Sequence, residues 1–241
     1  MAEAGGFGAA IRRGAIAGLI FVVVAGGAIA VYAATGHRLP GQGRANADRV
    51  LIIGALPDEN GDLVARVIAD ADAGSSIDDV RSVDPSSPVT IVGTSYGRLR
   101  DSYAFGGGAA VARAYAQLGG GEPLPYIDLG PEALRAAITA AGGVTLQLSE
   151  PMNVFDGDRL FTFPAGAVTA DPVAFRAILN GAAYLAPAQR SALMQQAVRA
   201  VTELARTYPG GLAAAIEDGT VASDLSAEEA AAFVTGLTQA R

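Results

Sequence analysis

Residues 50–69 read VLIIGALPDENGDLVARVIA, two short apolar runs on either side of an Asp-Glu-Asn-Gly turn. The runs 50–56 and 63–69 have the length and β-branched content of strands, and Asn60-Gly61 is the dipeptide that tolerates the backbone angles of a tight hairpin. An antiparallel pair is predicted. That pairing brings Asp48, just before the first strand, to the same end as Asp70 and Asp72, just after the second. Clustered carboxylate oxygens suit a hard cation such as magnesium. Solvated carboxylates at strand ends are the other reading of the same pattern.

Downstream, 73–88 (AGSSIDDVRSVDPSSP) has the composition of a surface loop, and 89–93 predicts a third strand. Residues 98–108, RLRDSYAFGGG, then set two arginines, an aspartate and two rings against three glycines, ahead of a small-residue helical pattern over 108–118. Glycine backbone at a helix start exposes N–H groups that, with the helix dipole, favour an anion. Arg98 and Arg100 offer planar donor forks for phosphate oxygens. A strand-to-helix turn with solvated arginines is the alternative. Gly119–Gly121 end the helix. A strand at 125–129 follows, then a helix with Pro131 in its first position running to 141, and a strand at 144–148. Further on come a strand at 160–163 and a helix from Asp171-Pro172 to Asn180. An amphipathic helix over 187–207 has Leu193, Val198, Val201 and Leu204 for one face, and a last helix runs from the Ser226 cap through Leu237. Alternation of this kind specifies a mixed-sheet, layered α/β domain, with no repeat, coiled coil or second domain.

The chain has 241 residues, no cysteine, and one histidine, His37. Disulfides and thiolate metal sites are excluded, and His37 falls in a Gly- and Pro-rich linker, so acid, base or metal chemistry rests on carboxylates and arginines. A net charge of −7 argues against nucleic acid as a partner. Residues 15–34, AIAGLIFVVVAGGAIAVYAA, are twenty residues without a charge, enough to cross a bilayer as a helix. The predicted organisation is a cytoplasmic tail over 1–13, a transmembrane helix over 14–35, a linker over 36–47 and an extracytoplasmic domain over 48–241. Arg12 and Arg13 orient the N-terminus to the cytoplasm, although Arg38, Arg44 and Arg49 reduce the asymmetry. A signal peptide cleaved near Ala28-Ile29-Ala30 is the rival.

Asp48 with its strand, LRDSYAFGG (99–107), YIDLGPEALRAAITAAGGVTLQLSEPM (126–152) and TVASDLSAEEAAAF (220–233) together resemble the LytR-CpsA-Psr family of cell-envelope proteins. The resemblance implies a single-pass membrane protein with an extracytoplasmic α/β/α domain that binds a polyprenyl-phosphate lipid. Family members transfer lipid-linked glycopolymers to peptidoglycan, with magnesium at the pyrophosphate. On that resemblance Asp48 and Asp72 are magnesium ligands, and Asp72 and Arg98 are the catalytic residues. Arg98, Arg100, Tyr103 and Arg190 bind substrate: Arg98 stands at the family's lysine position, Arg100 at its asparagine, and Arg190 is the cation nearest the Gln195-Gln196 pair. The chain also departs from the pattern. Ala71 replaces an arginine, Leu179 or Asn180 stands where the first of an arginine pair belongs, Arg176 is out of register, and Met194 precedes the glutamines. The expectation is a diverged member, a pseudoenzyme candidate with weak or no phosphotransferase activity. An active ligase with a cradle rebuilt from Arg100, Arg113, Arg176 and Arg190 is a second reading. A non-catalytic module docking on an active homologue or another envelope protein is a third.

Overall fold

The computed structural model describes residues 47–119, 121–157 and 159–238. The predicted tail, transmembrane helix and most of the linker lie outside the described residues. β1 (Arg49–Pro57) and β2 (Leu63–Asp72) form the predicted hairpin, with Arg49 opposite Asp72 and Pro57 opposite Leu63. Its turn is held by Asp58, whose carboxylate accepts the N–H groups of Asn60 at 2.9 Å and Asp62 at 3.1 Å, while Gly61 takes the positive φ of 87°. Side chains alternate across the pleat, so Val50 and Ile52 enter one apolar cluster and Leu51 and Ile53 enter another. A strand buried on both faces must be covered by a layer on each side.

The central sheet is mixed. β4 (Tyr126–Leu129) runs parallel to β1, β3 (Arg81–Ser82) pairs with the outer edge of β2, and β9 (Ala222–Ser223) pairs with β4, giving the order β3-β2-β1-β4-β9. Two ribbons stand apart from it: β5 (Val144–Leu148) with β8 (Gly166–Ala170), and β6 (Met152–Asp156) with β7 (Arg159–Phe163). On one face the 3-10 turn Leu99–Phe105 and α1 (Gly107–Gly119) cover Leu51, Ile53, Ala65 and Ile68 through Leu99, Val111, Ala112 and Ala114. The other face carries the larger core, built with α2 (Pro131–Ala140), α3 (Pro172–Gly181), α4 (Pro187–Arg206), α5 (Leu212–Glu217) and α6 (Ala227–Gly236). Local signals set the helix ends. Asp171 accepts the Ala174 N–H at 2.8 Å ahead of Pro172, and Ser226 and Glu229 close a reciprocal capping box.

Two features depart from the sequence reading. The expected strand at 89–93 is an irregular loop with Val92 91% exposed, and the third strand is the two-residue Arg81–Ser82 inside the polar stretch read as a loop. A polar segment suffices there because β3 sits at an open sheet edge, where no apolar face is demanded. The second feature is a register shift in the central hairpin. Gly54 faces Val67 and Ala55 faces Ala65, which leaves Arg66 as an extra residue in β2, a β-bulge that re-aims its side chain.

α1 starts directly on β4. A Cβ added at Gly108 would lie 2.5 Å from the Tyr126 ring and 2.9 Å from the Asp128 Cβ. Gly108→Ala should therefore cost about 1–3 kcal/mol through overpacking. A lower urea midpoint at unchanged m is expected, and a wild-type midpoint would show that the helix is not seated this way.

Candidate functional site

The glycine-rich helix start is already occupied. Asp128, 4% exposed at the centre of β4, accepts the Gly108 N–H at 2.9 Å and the Tyr103 hydroxyl at 3.2 Å. Gly106 and Gly107, with φ of 141° and 58°, turn the chain sharply enough for α1 to begin there. The anion favoured by this helix N-terminus is thus the protein's own carboxylate. Burial pushes Asp128 up to about 6, against the opposing hydrogen bonds from Gly108 and Tyr103. Burial and the facing Asp128 together hold the Tyr103 phenol above its ordinary value. Tyr103, expected to bind substrate, is a support for Asp128.

At one end of β1 and β2 the structure does gather the predicted carboxylates. The Asp48 carbonyl accepts the Ala73 N–H at 2.8 Å, and Asp48 itself is exposed. Arginines also gather there. Arg81 donates to both oxygens of Asp72, at 2.8 and 3.2 Å, with Arg49 Nε 3.5 Å away. Buried Asp70 is bonded by Arg49, by Arg81 at 3.2 Å and by the Tyr115 hydroxyl at 2.7 Å. Burial pushes Asp70 up, but the hydrogen bonds from Arg49, Tyr115 and Arg81 outweigh it and leave the carboxyl below its ordinary value. A divalent cation at Asp72 would sit against two guanidiniums. Both oxygens of Asp72 accept from Arg81, so Asp72 does not present free donors to magnesium, and among the described residues no three His, Cys, Asp or Glu side chains converge on a metal-sized site.

Arg98 and Arg100 separate. Backbone bonds from Leu99 to Ser87 and from Arg100 to Pro85, at 2.9 and 2.8 Å, pin the segment, and Leu99 is fully buried between the two arginines. Arg98 lies on the surface, whereas the Arg100 side chain is only 18% exposed. Arg100 meets a residue the sequence reading passed over, Arg66, the extra residue of the bulge. The Arg66 side chain is 8% exposed, donates to Asn180 Oδ1, and pairs with Glu59 at 3.1 Å. Burial, and next to it the charge of Arg100, hold the Arg66 guanidinium below its ordinary value. The Nε atoms of both arginines are buried without a hydrogen-bond partner.

The network continues from buried Asn180, which donates to Asp156 at 3.0 Å, and Asp156 in turn accepts from Arg176 Nε at 2.8 Å. Arg190 donates to the carbonyls of Ala183 and Leu185 at 3.3 and 3.2 Å, closing the chain after α3. Gln195 bonds Val80 and Ser82, and Gln196 bonds both backbone groups of Gln147, so the glutamine pair fastens α4 to the edges of two sheets. By the spacing along β1, the Arg66 bulge at Ala55 and the Asp72 cluster at Arg49 are about 20 Å apart. The structure joins Arg66 to Asn180, with the charge of Arg100 bearing on Arg66. It does not bring Asp48, Asp72 or Arg98 to them. One signal for Arg66 was visible in the sequence: a lone charge inside the otherwise apolar run LVARVIA.

No family model and no curated protein matches the sequence. Solved structures do match the fold. TagV from B. subtilis is 13% identical, over 80% of this chain and 80% of its own, with a TM-score of 0.50. TagT bound to LI-WTA, also from B. subtilis, is 13% identical over 85% and 84% of the two chains, again at 0.50. A LytR-Csp2A-Psr enzyme from Actinomyces oris is 17% identical over 78% and 68%, at 0.46. The domain has the LytR-CpsA-Psr fold. At these identities the likeness is one of fold, and the roles of individual residues rest on the geometry above.

Within this LytR-CpsA-Psr fold, Asp128 yields a pH test. Its folded pKa of about 6 lies above the ordinary 3.8, so the folded state holds the proton more tightly. The contribution of Asp128 to stability is therefore full below about pH 4 and is lost as pH rises through about 6, by up to about 3 kcal/mol. Asp128→Asn should flatten that profile between pH 4 and 7 in denaturant titrations. A profile parallel to wild type would contradict the assignment.

Proposed function

We propose that this chain is a single-pass cell-envelope protein that holds the phosphate end of a polyprenyl-phosphate carrier or lipid-linked glycopolymer and transfers it weakly or not at all. The observation that carries the reading is how the polar groups around the Arg66–Arg100 cluster are engaged. Asn180, which with Leu179 is one of the two positions where the resemblance places a motif arginine, bonds Arg66, while Arg176 is clamped by Asp156 at 2.8 Å. Glu59, Asp101 and Asp156 each form an ion pair with an arginine. Phosphoryl transfer depends on positioned charge, and each missing donor costs about 100- to 1000-fold in rate. Loss of several leaves binding without efficient turnover. The ligand class is supported by TagT, solved with LI-WTA bound, and membrane attachment by the uncharged segment 15–34 behind Arg12 and Arg13.

The test uses full-length protein with polyprenyl phosphate for binding, and a lipid-linked glycan with peptidoglycan for transfer. Binding without coupled product is expected. Efficient transfer that is lost in Arg98→Ala would establish an active ligase instead, and no lipid binding would reject the reading.

A second reading, a non-catalytic module that docks on another envelope protein, is favoured by Phe155 and Leu160. They face each other across β6 and β7, and both are exposed. Replacing both with serine should abolish co-purification with an envelope enzyme if that reading holds. Unchanged co-purification, or none in wild type, rejects it.

A further inference from the structure

We infer that the free edge of β5, where it runs along α4, docks an extended basic peptide segment of a partner protein as an added strand, on a surface distinct from the Arg66–Arg100 cluster and from Phe155 and Leu160.

β5 has a strand partner, β8, on one side only. On the other side the Gln196 side chain accepts the Gln147 N–H at 2.6 Å and donates to the Gln147 carbonyl at 3.1 Å. A side-chain amide carries the donor and acceptor of a peptide group, so Gln196 holds the place that the backbone of a neighbouring strand would take. Both bonds are open to water. The N–H and C=O of one residue in an antiparallel strand address the same edge, and alternate residues share it, so Thr145 faces this side together with Gln147.

The space along this edge is open. Gln196 lines two clefts at once, one of about 260 Å³ floored by Leu148, Met152, Leu185 and Leu193, and one of about 450 Å³ that includes Thr145 and Arg199. The clefts follow β5 and α4 in opposite directions from Gln196. A slot between a strand edge and a helix suits strand addition, in which main-chain bonds supply affinity and side-chain pockets supply selectivity. Gln195 makes the same kind of contact with Val80 and Ser82, at 2.6 and 3.2 Å, yet it lines neither cleft. The neighbouring glutamine is therefore a control for simple fastening.

Charge selects the occupant. Exposed Glu150 stands at the apolar cleft, and Asp78 and Glu203 stand at the other, where Arg199 lies 3.2 Å from Asp78. Three carboxylates against one guanidinium favour a basic peptide, and the apolar floor takes one of its apolar side chains.

The experiment is fluorescence polarisation of full-length protein in neutral detergent with a labelled heptapeptide, Lys-Val-Lys-Leu-Lys-Val-Lys, blocked at both ends. Saturable binding is expected. Gln196→Ala, which removes the internal competitor, should tighten it about 3- to 10-fold, Glu150→Lys should weaken it about 10-fold, and Gln195→Ala should leave it within about twofold. Two further peptides carry N-methyl groups on the lysines or on the apolar residues. Only one set of N–H groups can face β5, so one of the two should lose binding at least about 10-fold and the other should keep it. No binding to wild type or to Gln196→Ala overturns the inference. Binding that ignores both N-methylations, or both Gln196→Ala and Glu150→Lys, overturns it as well, because the peptide is then not a strand on β5. A glutamate-for-lysine peptide that binds equally well overturns the basic occupant. Displacement of the labelled peptide by polyprenyl phosphate would assign the groove to lipid and overturn the peptide.

Discussion

Arg66 occupies the extra position of the β2 bulge with its side chain almost wholly inside the protein. A guanidinium in that position keeps its charge, so everything packed around it must be polar. The surrounding residues follow that demand in sequence: Glu59 on the hairpin turn, Asn180 at the end of α3, Asp156 at the end of β6 and Arg176 one helical turn before Asn180. This chain of contacts ties the central hairpin to the β6–β7 ribbon through α3, across an interface that is otherwise apolar. Asn180 is neutral and offers Arg66 an acceptor oxygen while its amide nitrogen donates to Asp156.

A second constraint works at the other helix. The N-terminus of α1 is an anion site in the physical sense, but Asp128 reaches it from β4 and occupies it. The cost is the burial that raises the Asp128 pKa to about 6. What it secures is a fixed seat for the glycine turn and for the 3-10 segment that presents Arg100. The two arginines are thus positioned by rigid elements, one by a strand bulge and one by a turn anchored on Leu99.

Much of the architecture was legible residue by residue. Asn60-Gly61, Pro131, Asp171-Pro172 and Ser226 with Glu229 act locally, and each marked its element correctly because its effect does not depend on distant parts of the chain. The site was less legible. Antiparallel pairing does bring Asp48 and Asp72 to one end, but their neutralisation depends on Arg81, which arrives only when a polar two-residue edge strand pairs with β2. Likewise, Arg98 and Arg100 look equivalent in the sequence. Burial of Leu99 between them sends one to solvent and one inward. The bulge that aims Arg66 is a property of the pairing of two strands, so the lone arginine in LVARVIA hinted at a site without locating it.

The central claim is that the Arg66–Arg100 cluster, rather than Arg98 or the Asp48–Asp72 end, holds the phosphate end of the carrier. Proton–nitrogen NMR of arginine Nε–H groups during addition of polyprenyl phosphate measures this directly. The account predicts that the Arg66 and Arg100 resonances shift and become protected from exchange together, while those of Arg49, Arg81 and Arg98 stay in place. Shifts confined to Arg98, or to Arg49 and Arg81, would contradict it.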